Sequence, residues 1–213
     1  VLESLVEEIG AAMSRGHQII VVSSGAIGAG IRKLKWNQRP TEMNLKQAAA
    51  SVGQVSLMQA YDRLFAHQHR TVAQVLLTRR DFENRVSYLN ARATITALLE
   101  LGVVPIINEN DTVAVDEIKF GDNDSLSALV ASKMDAELLV MLTDVDGLYG
   151  RGGEVVRLVE KITPEIERMA GKKSASGMGT GGMSSKIDAA KISTASGVPT
   201  IIASGLKNGT ITD

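Results

Sequence analysis

The sequence predicts an α/β protein, a three-layer αβα sandwich in which helices cover both faces of a mainly parallel, open sheet. Short apolar runs bounded by turn residues alternate with longer segments of helical periodicity. Hydrophobic residues make up 44% of the chain but aromatic residues only 3%, as is typical of parallel strands built from Val, Ile, Leu and Ala. A length of 213 residues suits one substantial domain with its own core.

Composition excludes several classes of function. The 23 basic and 24 acidic residues give a net charge of -1, which argues against a general nucleic-acid or membrane-surface binder. The absence of cysteine excludes disulfides, thiolate nucleophiles and Cys-ligated zinc. His67 and His69 have a poor spacing for a shared metal ion on a helix face. Since no apolar run approaches 18 residues, we expect no membrane segment and a cytoplasmic protein.

The elements follow in a regular order. An amphipathic helix comes first, over residues 1–14, and Gly16 closes it. Further helices are predicted at 45–66, 84–100, 124–134 and 184–196. Buried strands are predicted at 17–23, 72–77, 103–107, 138–142 and 198–203, with an edge strand at 154–162. Because buried strands that alternate with helices join through right-handed crossovers, we expect the five buried strands in one sheet.

Ligands of such sheets bind beyond the carboxyl ends of the strands, and residues 23–30 (SSGAIGAG) follow the first strand there. Small residues at a strand-to-helix turn let backbone N–H groups approach an anion. The order G-x-x-G-x-G differs from the dinucleotide pattern G-x-G-x-x-G, and no acidic residue ends a following strand about 20 positions on. A nicotinamide site is therefore disfavoured. The alternative is that the glycines serve only close packing.

An acidic segment follows the strand at 103–107. Residues 108–124 (NENDTVAVDEIKFGDND) carry six carboxylates and three asparagines. Together these side chains can grip a substrate ammonium, or position the lysines and Mg²⁺ that handle phosphate. The spacing is not that of an EF-hand and does not distinguish these roles. A solvated loop is the alternative.

Residues 143–149 (TDVDGLY) follow the strand at 138–142. Thr143 and Asp144 could bind a nucleotide or orient a basic residue. An ordinary Asx turn that ends at Gly147 explains the same residues almost as well.

A second glycine-rich segment, residues 177–186 (GMGTGGMSSK), opens the helix at 184–196. Flexible N–H donors that lead into a helix N-terminus, with Lys186 in its first turn, make a phosphate site in physical terms. The segment is not a P-loop, because G-x-x-x-x-G-K-[ST] is not matched. A linker is the alternative.

Taken in order, VSSGAIGAG, NENDTVAVDEIKFGDNDSLSA, TDVDGLY and GTGGMSSK resemble the amino acid kinase family over nearly the whole chain. The stretches KQAAASVGQ (46–54) and QVLLTRRDF (74–82) resemble those members that phosphorylate glutamate rather than aspartate, acetylglutamate, carbamate or uridylate. The resemblance implies Mg²⁺-dependent transfer of phosphate from ATP to the γ-carboxylate of L-glutamate, the first step toward proline. It also implies feedback inhibition by proline, and we expect a homo-oligomer.

Carried over position by position, the resemblance also implies roles for single residues. Lys186 would neutralise charge on the transferring phosphoryl group, and Asp124 would orient the catalytic lysines without accepting a proton. No metal ligand is assigned. The residues implied to hold glutamate are Ser24, Gly25, Asn108, Asp111, Asp122 and Asn123. Those implied to contact ATP are Thr143, Asp144, Thr180, Gly181, Gly182, Met183, Ser184, Ser185 and Lys186.

The chain also departs from the family pattern. The family begins with a strand that carries Lys-x-Gly-[ST] and a second phosphate-binding lysine, whereas this sequence starts at Val1 inside a helical pattern. The family's Asp-Pro-Arg loop after Tyr149 is replaced by residues 150–153. We therefore expect residues 1–213 to be a kinase domain that lacks its first strand and its C-terminal end, with no PUA domain, and to be nearly inactive alone.

Two other functions stay open at this point. One is a module that binds glutamate, proline or a nucleotide without turnover. The other is an amino acid kinase with a different acceptor.

Overall fold

The computed structural model describes residues 1–113, 123–171 and 182–212, and it confirms the α/β class. The strands in these ranges are β1 (Val21–Val22), β2 (Val72–Leu77), β3 (Val104–Glu109), β4 (Leu139–Thr143) and β5 (Thr200–Ser204). The helices are α1 (Leu2–Ser14), α2 (Ala26–Lys33), α3 (Met43–Ala66), α4 (Arg79–Glu83), α5 (Arg85–Glu100), α6 (Asn123–Lys133), α7 (Pro164–Ala170) and α8 (Met183–Ala195).

Most predicted elements are confirmed. The ends of α1, α3, α5, α6 and α8, and of β2 to β5, lie within two residues of the predicted ends. Of the described helices, none is both long and apolar enough to cross a bilayer.

The first strand is shorter than predicted. The pattern at 17–23 predicts a buried strand, but only Val21 and Val22 pair, with Ile106 and Ile107 of β3. If the register continued toward the N-terminus, Ile20 would lie opposite Pro105, and proline has no N–H to donate. The apolar run therefore extends beyond the paired strand.

The predicted edge strand at 154–162 is wrong. Tyr149 forms an isolated antiparallel bridge with Val155, and residues 150–153 form the turn between them. Val156 and Val159 instead pack against a small core of Leu148, Ala170 and Ile187. An apolar pattern identifies burial here but not a pairing partner.

Three helices had no predicted range. One is α2, which was implied only by the strand-to-helix turn at 23–30, and the other two are the short helices α4 and α7. Thr78 and Asp81 form a capping box at the start of α4, and Thr163 caps α7, which has proline in its first turn. These signals are readable in the sequence, but each helix is too short for a clear apolar period.

All strand pairs within the two sheets are parallel, as predicted, but they form two sheets rather than one. β1, β3 and β2 pair in that order in one sheet, and β4 pairs with β5 in the other. The chain divides accordingly into an N-terminal unit (Leu2 and Val6–Gly121) and a C-terminal unit (Val1, Glu3–Leu5 and Asp122–Asp213). Periodicity locates strands, but it does not say which strands share a sheet.

Each unit has its own core. In the N-terminal unit, fully buried side chains come from α1, α3, α5 and β3, namely Val6, Phe65, Ile95, Val104, Ile106 and Ile107. In the C-terminal unit, α6 and α8 contact each other and the two strands, and they bury Ala128, Ala131, Leu139, Met141, Ala189, Ala190 and Val198. The small residues of α6 and α8 let these helices approach closely.

Candidate active site

A buried ion pair lies at the start of α8. The Nζ atom of Lys186 donates to both carboxylate oxygens of Asp124, at 2.8 and 3.0 Å. The side chains are only 10% and 15% exposed. Asp124 lies in the first turn of α6 and Lys186 in the first turn of α8, so the α6–α8 contact sets the distance between the two charges.

Ser185 extends this pair. Its Oγ atom lies 2.8 Å from Oδ2 of Asp124 and 2.8 Å from the carbonyl oxygen of Gly182. Asp124 is thereby oriented by a hydroxyl and an ammonium at once. Gly182 precedes α8 in an extended conformation and provides no side-chain cap to the helix. The donors at the start of α8 are the kind of groups that bind a phosphate oxygen.

Thr143 and Asp144 lie at the carboxyl end of β4, as predicted. The hydroxyl of Thr143 donates to Oδ1 of Asp144 at 3.2 Å, and Asp144 is exposed. Gly147 has a φ of 152°, so the turn interpretation also agrees with the geometry of this segment. The turn and a nucleotide contact are compatible, because the turn leaves the Asp144 carboxylate at the surface.

In the N-terminal unit, the strand-to-helix turn after β1 contains Ser24 and Gly25, which are both exposed. Gly25 has a φ of 105°, which favours glycine, and it precedes α2. The neighbouring Ser23 is buried, and its hydroxyl lies 2.8 Å from that of Tyr61 on α3. Burial raises the pKa of Tyr61, and the hydrogen bond to Ser23 acts in the opposite direction. Tyr61 is therefore a neutral phenol, and its hydrogen bond to Ser23 holds the turn in place.

Of the other two glycines of this motif, Gly30 has a packing role, which it shares with Gly53 of α3, and Gly28 has none. A Cβ atom on Gly30 would lie 1.8 Å from the carbonyl oxygen of Ala49, and one on Gly53 would lie 1.8 Å from that of Ala26. These two glycines therefore allow α2 and α3 to cross in backbone contact. Gly28 meets only the tip of Arg32, at 3.9 Å, and has no such packing role. The packing interpretation thus accounts for Gly30, and the turn accounts for Gly25.

Asn108 at the end of β3 is 2% exposed and is held on both sides of its amide. Its Oδ1 accepts from the N–H of Glu109 at 2.8 Å, and its Nδ2 donates to Oε1 of Gln54 at 2.8 Å. Gln54 lies on α3, is 8% exposed, and has a buried Nε2 atom with no hydrogen-bond partner in the described structure. Such an unsatisfied donor costs about 1–3 kcal/mol.

Asp111 lies in the turn that follows β3. It is partly buried, and desolvation raises the pKa of its carboxyl group above the ordinary value of 3.8. A nearby cation would oppose this shift by favouring the charged form. A partly buried carboxylate of this kind is a suitable partner for a substrate ammonium.

The predicted residues thus fall into two groups. Lys186, Asp124 and Ser185 come together in the C-terminal unit, where Asn123 begins α6, while Ser24, Gly25, Asn108 and Asp111 belong to the N-terminal unit. Met183 and Ser184 form the first residues of α8. Asp122, Thr180 and Gly181 lie outside the described residues.

Sequence reasoning missed Gln54 and Tyr61 as parts of the site. Both are polar residues on the buried face of α3, seven positions apart, and each contacts the end of a strand. Two polar residues two helical turns apart on an apolar face would have been the signal.

Comparison with known proteins agrees with this architecture. The sequence pattern described as the amino acid kinase family matches residues 1–204, so the chain belongs to that family. A glutamate 5-kinase of Moorella thermoacetica is 50% identical over 216 residues, which cover 99% of this chain and 57% of that protein. A glutamate 5-kinase of Clostridium tetani is 45% identical over 218 residues, covering 100% of this chain and 81% of that protein.

Among solved structures, a uridylate kinase from Archaeoglobus fulgidus superimposes with a TM-score of 0.56 over 95% of this chain and 82% of that chain. At 16% sequence identity, this similarity shows the fold alone. The chain spans 57% of the length of the Moorella relative, a little over half of that protein.

Proposed function

We propose that this chain is the kinase part of a glutamate 5-kinase, which transfers the γ-phosphoryl group of ATP to the γ-carboxylate of L-glutamate. The observation that carries the proposal is the buried pair of Lys186 and Asp124 at the start of α8. The similarity to glutamate 5-kinases at 45–50% identity supports the choice of acceptor. The product is the mixed anhydride γ-glutamyl phosphate, and ADP leaves.

The pair suits phosphoryl transfer rather than proton abstraction. A carboxylate nucleophile is already ionised, so the reaction requires no general base. Catalysis then depends on positioning and on charge stabilisation at the transferring group. Because Asp124 holds the Lys186 ammonium through both carboxylate oxygens, the cation is placed before the substrates arrive.

Glutamate binding is assigned to the carboxyl ends of β1 and β3. Asp111 would pair with the α-ammonium group, and this pairing would oppose the effect of desolvation on its carboxyl group. Asn108 offers an amide that is already oriented by two hydrogen bonds. Ser24 and the N–H of Gly25 would contact the substrate at the adjacent turn. Asp122 and Asn123 belong to the C-terminal unit and are not part of this set.

Nucleotide binding is assigned to the end of β4 and the start of α8. Thr143 and Asp144 supply polar groups there, and the residues from Thr180 to Ser185 would contact the phosphates through N–H and hydroxyl donors. Within the described residues, no group of three acidic, histidine or cysteine side chains could hold a metal ion. Proteins often bind Mg²⁺ through substrate phosphates, water and one or two carboxylates. When bound, Mg²⁺ would offset the negative charge of the phosphates.

The decisive test is a γ-glutamyl hydroxamate assay of the full-length protein with ATP, Mg²⁺ and hydroxylamine. We expect hydroxamate from L-glutamate, and none from aspartate, acetylglutamate or carbamate. Lys186→Met should abolish most of the activity. Lys191→Met is the matched control, since Lys191 is a lysine of the same helix whose ion pairs with Glu167 and Asp188 are exposed.

Other results would contradict the proposal in distinct ways. Phosphorylation of another acceptor at a higher kcat/KM would identify a different member of the family. Binding of glutamate and ATP by calorimetry without any turnover would identify a module that only binds these ligands.

The family resemblance also supports proposals about regulation, oligomeric state and location in the cell. We expect proline to inhibit competitively with glutamate, the protein to form a homo-oligomer, and the enzyme to act in the cytoplasm. Initial rates at several proline concentrations and light scattering of the purified protein test the first two expectations.

A further inference from the structure

The orientation of the Gln54 amide is fixed by its neighbours. The N–H of Glu109 donates to Oδ1 of Asn108, so the other end of the Asn108 amide must be its nitrogen. That nitrogen faces Gln54 at 2.8 Å and requires an oxygen there. The Gln54 Nε2 group is therefore the end that points away from Asn108.

This Nε2 group has hydrogens to donate and no acceptor in the described structure, although it is buried. Buried polar groups are nearly always satisfied, so an exception asks for an explanation such as a ligand or an ordered water. The partner must be an acceptor, which excludes the ammonium group of an amino acid. A carboxylate oxygen is the strongest acceptor that an amino-acid substrate offers.

We propose that Gln54 is a substrate-binding residue, whose Nε2 donates to the α-carboxylate of the amino-acid substrate while its Oε1 positions Asn108. The α-carboxylate is preferred to the γ-carboxylate because it keeps its full charge throughout the reaction, whereas the γ-carboxylate is converted to an acyl phosphate. The inference rests on the proposed function, since it assumes that glutamate binds at the end of β3. It also requires whatever covers Nε2 to shift when substrate enters.

Gln54→Glu tests this donor selectively. The change keeps an oxygen toward Asn108 and replaces the N–H donor with a negatively charged acceptor. We expect the KM for L-glutamate to rise about tenfold or more, because a hydrogen bond to a charged group is lost and like charges repel. The KM for ATP should be unchanged.

A second substrate makes the test specific. L-Isoglutamine carries a carboxamide in place of the α-carboxylate and retains the reactive γ-carboxylate. Its N–H₂ group can donate to the introduced carboxylate, so we expect the preference for glutamate over isoglutamine, as a ratio of kcat/KM, to fall about tenfold or more. If Gln54 only positions Asn108, the variant should change kcat/KM for both substrates by the same factor and leave their ratio constant.

Gln59→Glu is the matched control, because Gln59 lies on the same helix and is exposed. It should leave the ratio as in the wild type. If thermal unfolding shows that Gln54→Glu does not fold, Gln54→Met decides the question. Loss of the Nε2 donor weakens binding of the charged α-carboxylate of glutamate more than binding of the neutral carboxamide of isoglutamine. Its glutamate preference should fall several-fold.

A ratio that stays within about twofold of the wild type in the folded Gln54 variants would overturn the inference and leave an ordered water as the partner. If the wild-type protein binds glutamate without turnover, the proposed function fails. Dissociation constants from calorimetry then replace KM, so the inference is decided separately. A wild type that does not bind glutamate overturns both.

Discussion

At the scale of single residues, burial of the Lys186–Asp124 ion pair costs free energy, and the stability of the fold alone does not require this pair. Burying two charges carries a desolvation penalty that their attraction often only offsets, and well-packed apolar residues can replace such pairs without loss of stability. The pair lies at the start of a helix, beside donors that suit phosphate. Its position is therefore better explained by the proposed chemistry than by stability.

Lys186→Met should lower kcat about 10²-fold or more while changing the KM for ATP much less. A preorganised charge aimed at the transferring phosphoryl group acts mainly in the transition state, and removal of one such donor has effects of this size. Steady-state kinetics with ATP and glutamate measure both constants. A kcat within about threefold of the wild type would make Lys186 an ordinary structural residue.

The same variant should be less stable by about 3 kcal/mol, because the buried Asp124 carboxylate loses the ammonium that contacts both of its oxygens. The double variant Lys186→Met/Asp124→Leu should recover most of this loss in urea unfolding but none of the activity. Recovery of activity along with stability would show that the single variant was merely misfolded.

Asp111→Asn should stabilise the free protein at neutral pH and weaken glutamate binding. The raised pKa means that the folded protein retains this proton to a higher pH than the unfolded chain does. Wild-type stability therefore falls, relative to the variant, as pH rises from the ordinary Asp value of 3.8 through the raised pKa, and the difference is constant above it. Thermal unfolding at several pH values measures this difference.

Kinetics of the same variant supply the second half of the prediction. The KM for glutamate should rise strongly, since a neutral amide cannot form an ion pair with the substrate ammonium, while the KM for ATP stays nearly constant. An equal rise in both constants would indicate a folding role for Asp111 instead.

At the scale of elements, the crossing of α2 and α3 depends on two glycines. Gly30→Ala or Gly53→Ala would drive a methyl group into a backbone carbonyl oxygen of the other helix. We expect each to cost about 3 kcal/mol or more, at the upper end of the range for overpacking, because backbone cannot move aside as a side chain can. Chemical denaturation measures the loss.

Gly28→Ala is the control on the same helix. Its new Cβ atom would meet only a flexible arginine tip, and alanine favours a helix over glycine by about 1 kcal/mol. Unchanged or increased stability is expected. If all three variants behaved alike, close packing would not be the reason for Gly30 and Gly53.

Much of the element order could be predicted from the sequence because period and turn residues are local signals. The β2 strand, at Val72–Leu77, has the predicted bounds, since an apolar run with clear turn residues on both sides admits one assignment. The segment at 154–162 could not be predicted in the same way, because its apolar residues pack against cores of helix and strand side chains without forming a paired strand. Pairing depends on distant residues that the local pattern does not contain.

The same distinction applies to the candidate site. The carboxyl ends of β1, β3 and β4 were identified from position in the fold, and the contact of Lys186 with Asp124 agrees with the implied orientation of that lysine. The role of Gln54 could not be predicted, because an amide is notable only once its partner and its burial are known.

At the scale of the whole molecule, the two units divide the proposed ligands between them. The residues assigned to glutamate at the ends of β1 and β3 belong to the N-terminal unit, and those assigned to the nucleotide belong to the C-terminal unit. Each unit has a separate sheet and a separate buried core. Because each unit has its own core, its amides can exchange through openings of that unit alone.

Hydrogen exchange should therefore separate the ligands by unit. Glutamate at 100 times its Kd should slow exchange in β3 and the neighbouring part of α3 by up to about 100-fold, since ligand binding lowers the population of open states in that proportion. A non-hydrolysable ATP analogue with Mg²⁺ should do the same in β4 and α8. In the Asp111→Ala variant, glutamate at the same concentration should no longer slow exchange in β3 and α3. The nucleotide analogue should still slow exchange in β4 and α8. Protection of both units by either ligand alone would show that they open as one body, and it would contradict the division of ligands between them.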